Sequence, residues 1–287
     1  MSAIFKREFS SYMRNVTGPL FIALILMFEG ITCLVYNLVL SSPHFEYSLN
    51  YLQLVLIVAV PVLAMRSLAE DKRGRIDQLL YSLPMSLSRV VMGKYFAMVA
   101  ILGIACGVMA LYPVVLSFFG LTDFATAYCS LFAFFLLGAA LLALCMFLSS
   151  LTESQIIAAV LSVGGVLFIY LLDMLAMVIP TNALVSFIAL IILVLAVLAV
   201  VLALTKNVRI TGLLAAVTLI PMIVTYVIDS SLYQGLFRSF TNSASLFSRY
   251  TNFGYGVFDL GTVVYYLSFI AFFLYLTYQS LEKKRWS

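Results

Sequence analysis

An all-α, polytopic transmembrane helical bundle of about eight spans is the fold class this sequence predicts, on three observations. The 287-residue chain is 64% hydrophobic and only 10% charged, against roughly one-quarter charged residues in an ordinary soluble domain. Its mean hydropathy is +1.13. Apolar runs of about 20 residues, the length a helix needs to cross a ~30 Å hydrocarbon layer, recur from end to end.

The runs fall at roughly 17–40, 50–66, 93–118, 124–148, 155–179, 183–205, 208–228 and 259–281, within a single transmembrane domain over 1–287. An even number puts both termini on one side, and Lys and Arg near the span ends say which. Lys6, Arg7, Arg14, Arg66, Lys72, Arg73, Arg75, Arg89, Lys94, Lys206, Arg209, Lys283, Lys284 and Arg285 share one side, and only Arg238 and Arg249 fall on the other. This predicts cytoplasmic N- and C-termini. The net charge of +4 then reflects topology, whereas a nucleic-acid binder would gather its basic residues on a folded soluble face. No nucleic-acid partner is expected.

Residues 1–16 place Phe5, Phe9, Tyr12, Met13 and Val16 on one helical face and Lys6, Arg7, Ser10 and Arg14 on the others, the pattern of a helix lying in the inner interface. The run from Gly18 to Leu40 is too long for a signal peptide and lacks an A-x-A-like cleavage site, so it reads as a retained first span. After the second span, residues 67–89 form the longest cytoplasmic segment. Glu70, Asp71, Lys72, Arg73, Arg75 and Asp77 precede a stripe of Ile76, Leu79, Leu80 and Leu83, whose spacing predicts an amphipathic helix. Pro84 ends it, and Ser86 or Ser88 caps a second helix that runs through Arg89 and Lys94 into the third span. Mixed charge favours docking onto a partner over lying on lipid, since a lipid-binding face is rich in Lys and Arg with few acids. The other inner loops are short. On the outer side, residues 229–258 read as short helices at or dipping into the interface.

Few residues can carry chemistry. No G-x-x-x-x-G-K-[ST] string exists to cradle phosphates, and the only histidine is His44, too little with Glu46 for a metal centre. Cys33, Cys106, Cys129 and Cys145 lie in apolar segments without C-x-x-C spacing. No enzyme activity, metal or cofactor is expected in this chain. Ionisable residues inside the bilayer cost about 2.5–3.5 kcal/mol on insertion scales, which singles out Glu29 and Asp173. Each is either a polar or proton-carrying point on a substrate path or a neutral carboxyl bonded to a neighbouring helix; for Asp173, snorkelling outward is a third option. Asp123, Asp229 and Asp259 lie close to the interface. Gly103 and Gly107 form G-x-x-x-G, which permits close helix approach. Pro61, Pro113 and Pro221 fall inside spans and are positioned to kink them.

Two stretches carry a resemblance. MRSLAEDKRGRIDQLLYSLPMSLSRVVMGKYFA, residues 65–97, resembles the segment after the second span in permease subunits of type 2 ABC exporters: a charged helix at Glu70 to Arg73, the Leu79-Leu80 pair, a break at Pro84 with Ser86, and Gly93-Lys94 at the next span. Ser245 to Trp286 resembles the closing segment of that family's gliding-motility branch, through Gly256, Phe258, Asp259, Tyr265, Tyr266, Lys284, Arg285 and Trp286. With the N-terminal amphipathic helix the resemblance covers about a third of the chain. Arg75-Ile76 stands where the family has Gly-Thr or Lys-Thr, and the family is described with six spans, so 183–229 reads as an inserted hairpin.

The resemblance implies an ATP-driven exporter in the bacterial cell membrane. Two permease chains would enclose the path, each docked on a cytoplasmic ATPase that binds ATP and Mg, with membrane lipid around them and room for an extracytoplasmic accessory protein. The docking contacts would be Glu70, Asp71, Arg73, Arg75, Leu79, Leu80, Leu83 and Pro84. Competing expectations are an ion-coupled secondary transporter built on Glu29 or Asp173, and a non-transporting membrane anchor of an assembly complex.

Overall fold

The computed structural model describes residues 2–74, 86–120, 123–178, 181–205, 208–254 and 256–285. Among these there is no strand. Twelve helices follow in order: α1 (Ser2–Arg14), α2 (Thr17–Cys33, continued by a π-helical Leu34–Val39), α3 (Phe45–Arg73), α4 (Leu87–Met109), α5 (Tyr112–Ser117), α6 (Phe124–Ser150), α7 (Gln155–Val178), α8 (Ala183–Thr205), α9 (Val208–Ile228), α10 (Leu236–Ala244), α11 (Phe247–Gly254) and α12 (Leu260–Arg285), with a 3₁₀ turn at Ser230–Tyr233. Seven of the described helical stretches are long and apolar enough to cross a membrane: Thr17–Val39, Phe45–Lys72, Leu87–Ser117, Phe124–Ser150, Gln155–Leu172, Thr211–Ile228 and Leu260–Lys283. The eighth expected span corresponds to α8, whose described apolar run is Ala183–Ala196. The chain is a polytopic α-helical membrane protein.

The chain divides into two compact units, Met1–Phe168 with Leu246–Ser287, and Ile169–Ser245. In the first, α6 is the most enclosed span. It is apolar all round, as a helix surrounded by others must be, and small residues on it admit its neighbours closely. A Cβ on Gly138 would lie 2.7 Å from Leu102 Cδ2 on α4. Two buried tyrosines are paired with backbone: Tyr95 donates to the Ala139 carbonyl at 3.1 Å, and Tyr266 to that of Leu246 at 2.7 Å.

In the second unit, α8 and α9 pack together as a hairpin, sealed at one end by aromatic rings. Phe187 stacks on Tyr226 at 4.2 Å, and Tyr233 donates to the Met222 carbonyl at 3.0 Å.

Several boundaries differ from the sequence reading. α3 does not end near residue 66; it continues unbroken to Arg73, because no breaker intervenes before Gly74 and Arg66 supports the last turns by pairing with Glu70 four residues on, at 2.8 Å. The third span starts earlier, at Leu87, after extended backbone at Ser86. Pro113 does interrupt that span, at the α4–α5 break. Within 229–258, α11 packs on α6: Tyr250 and Phe253 are fully buried, and Ser130 of α6 donates to the Phe253 carbonyl at 3.0 Å. Among the described residues the G-x-x-x-G motif makes no close backbone approach: a Cβ on Gly103 would meet Phe135 Cε2 at 3.8 Å, and one on Gly107 nothing within 4 Å.

Candidate functional site

Three elements converge where α3 ends and α4 begins. α1 turns Ile4 and Tyr12 inward, with Glu8 on the same stripe, while Met13 and Val16 stay exposed. A Cβ on Gly93 would press Ile4 at 2.9 Å, so the absence of a side chain there is what lets α1 lie against α4. One residue on, the Lys94 side chain is 2% exposed.

The Lys94 ammonium donates to the Ser67 carbonyl at 2.9 Å and is ion-paired with Asp71 Oδ2 at 2.7 Å and Glu8 Oε2 at 3.2 Å. One lysine therefore ties α4 to α3 twice and to α1 once. Glu8 is shared with the more exposed Arg7 at 2.6 Å. Beside it Arg66 grips Glu70 through two donors, at 2.8 and 3.0 Å, and reaches Thr17 at 3.2 Å. A cavity of about 270 Å³ lies among these groups, with Tyr12 on its wall. Burial pushes the Tyr12 phenol up, so it stays neutral.

The same end of α3 is pinned to α6. Lys72 donates to the Ser150 carbonyl, while Ser149 accepts from the Ala69 amide and donates to the Met65 carbonyl, both at 3.3 Å. The described residues nearest to 75–85 on the α3 side are thus held against α6 and α4. Side-chain contacts here link α1, α3, α4 and α6.

Of the expected docking residues, Glu70, Asp71 and Arg73 fall in the last turn of α3. Glu70 and Asp71 are engaged in the ion pairs above, so their carboxylates anchor the segment from within the chain. Arg75, Leu79, Leu80, Leu83 and Pro84 lie outside the described residues. Glu8 and Lys94 were not singled out from sequence as partners. The available signals were an acid on the inward stripe of an amphipathic helix and a lysine inside a span, each requiring an opposite charge.

Glu29, in α2, is fully buried. Ser48 of α3 faces it at 2.7 Å and the Phe45 carbonyl at 2.8 Å; Thr32 adds a long contact at 3.5 Å. The carboxyl therefore bridges α2 and α3. Asp173 lies within α7, but its side chain is outside the described residues. His44 meets Glu46 at 2.8 Å, and among the described residues no group of three or more His, Cys, Asp or Glu is placed to hold a metal ion. Asp123, Asp229 and Asp259 each accept a backbone N–H two residues on, capping the turns that follow. Arg249 lies over the Tyr265 ring, 4.1 Å from its centroid.

The geometry defines a membrane-spanning helical protein with a charged junction on its basic face. Compared with known proteins, the sequence matches no family model and no curated protein.

Proposed function

We propose that this chain is the membrane-spanning permease subunit of an ATP-driven ABC exporter, acting in the bacterial cell membrane as one of two permease chains and driven by a separate cytoplasmic ATPase. The observation that carries the reading is the Lys94 junction. It fixes both ends of the 75–85 connection, at Asp71 and at the first turns of α4, so a push on that connection passes into α3, α4 and α1 together. Interfaces with discrete packings turn such local displacements into rigid-body shifts. In this reading Leu79, Leu80, Leu83 and Pro84 meet the ATPase, while Asp71 and Glu70 hold the segment in place. The chain itself contributes no nucleotide chemistry.

The test is to extract the tagged chain from its native membrane in mild detergent and identify what co-purifies. A soluble ATPase at about one copy per chain, lost in Leu79→Asp or Leu80→Asp variants that still insert, is the expected result. No ATPase with an intact chain would overturn the reading and shift attention to Glu29, the buried carboxyl at the α2–α3 contact, as the ion site of a secondary transporter.

A further inference from the structure

A cavity of about 660 Å³ opens on the first unit between α4, α6 and α12. Its size falls within the roughly 300–1,000 Å³ of small-molecule sites. One wall runs from Ser88 to Val99 on α4, the other from Leu267 to Tyr278 on α12, and Ala139 of α6 and Ala271 of α12 leave room between them. All three helices are spans, so the mouth opens at hydrocarbon depth, where the solvent is lipid.

Length decides what fits. Each wall rises about 16 Å at 1.5 Å per residue, close to half of a ~30 Å hydrocarbon layer. The groove therefore covers one leaflet. Beyond it, Leu102 closes down over Gly138, and Phe132 stacks on Phe258 at 6.3 Å. A span of a second chain would run the whole thickness, whereas this groove ends at mid-depth.

Polarity gives the occupant an orientation. At mid-depth the lining is apolar, with Phe96, Val99, Leu136 and Ile270, while Ser88 and Tyr278 stand at the basic end of the two walls. Tyr95 turns its own hydroxyl away, onto the Ala139 carbonyl at 3.1 Å, and presents its ring to the groove. Exposed Arg89 follows Ser88 in the first turn of α4. Apolar tail inward and anionic head at the basic rim is the polarity of a phospholipid.

We propose that this groove binds one phospholipid with an anionic headgroup from the leaflet on the basic face, its acyl chain lying between α4 and α12 and its phosphate near Ser88 and Arg89. The proposal rests on the membrane-spanning fold and the groove, and does not depend on coupling to an ATPase.

The test reconstitutes the full chain in vesicles of phosphatidylethanolamine and phosphatidylglycerol containing a phosphatidylglycerol probe with a photoactivatable diazirine on its acyl chain, and maps adducts after illumination. Adducts concentrated on 91–99 and 267–275, at about one per chain, are expected. Ala271→Trp, which fills the groove, should reduce them at least five-fold, whereas Val264→Trp on the exposed face of the same helix should leave them unchanged. Arg89→Gln should lower labelling by this probe at least three-fold and lower labelling by a phosphatidylcholine probe, whose choline offsets the phosphate charge, by a smaller factor. Uniform labelling that includes exposed positions such as Ile192 and Val224 would overturn the proposal, as would a disulfide between two copies of an Ala271→Cys chain, which would seat a second copy there. The wild-type map decides the matter even if Ala271→Trp fails to fold.

Discussion

Lys94 Nζ and Asp71 Oδ2 meet at 2.7 Å, the lysine from the opening turns of one membrane span and the aspartate from the closing turn of the span before it. Both charges have left water, a loss their attraction recovers only while every proton and lone pair has a partner. Removing one partner exposes the full cost. Lys94→Met leaves Asp71 and Glu8 buried near each other and should cost about 3–5 kcal/mol. Thermal unfolding in detergent should show this as a large loss. Combining it with Asp71→Leu should restore most of it, because the orphaned carboxylate is gone. A double variant no more stable than Lys94→Met would mean that Lys94 acts through packing alone.

Glycines predict opposite outcomes at two sites. A Cβ on Gly18 would lie 2.6 Å from the Tyr12 carbonyl oxygen, and backbone has nowhere to move where α1 meets α2. Gly18→Ala should destabilise by about 1–3 kcal/mol through overpacking. Gly107 has open space around it, so Gly107→Ala should be neutral or gain up to about 1 kcal/mol of helix propensity. Melting both variants in one detergent checks the pair. A reversed order would place the closest helix approach at the G-x-x-x-G motif.

For Glu29, the relevant partner is Ser48 at 2.7 Å. Glu29→Gln retains a polar group of the same shape for that hydroxyl. Glu29→Leu deletes a cross-helix hydrogen bond, a class that averages about 0.6 kcal/mol inside membranes. Stability should therefore fall by roughly that amount in the leucine variant and stay near wild type in glutamine. Loss of transport by Glu29→Gln at unchanged protein level would instead put the carboxyl on the transport path.

The spans were legible in the sequence because twenty apolar residues in a row have few other uses. What was not legible is tertiary. Glu8 and Lys94 lie on different helices far apart in the chain, and neither has a local partner that identifies the other. Ser48 carries no mark that separates it from the chain's other serines. Mixed charge before an apolar stripe was read as a docking element; that Asp71 also pairs with Lys94 of α4 is a tertiary contact with no local mark. The short helices of 229–258 were legible from its half-apolar composition, whereas the packing of Tyr250 and Phe253 of α11 into the bundle was not.

The start of α12 gives a pH test. Thr262 donates to Asp259 Oδ2 at 2.6 Å and the Gly261 amide to Oδ1 at 2.8 Å. These bonds, the Thr262 hydroxyl first, hold the Asp259 carboxyl below the usual aspartate range. A carboxyl whose pKa is depressed by folding contributes stability in full above its unfolded pKa of about 3.9, and loses it as pH falls through the lower folded value. Thr262→Val removes the strongest of the donors while keeping the side chain's shape. The gap in melting temperature between wild type and this variant should stay constant from about pH 7 to 5 and narrow below about pH 4, as both carboxyls become neutral. A gap that instead changed between pH 7 and 5 would assign the dependence to another group and leave Asp259 without this role.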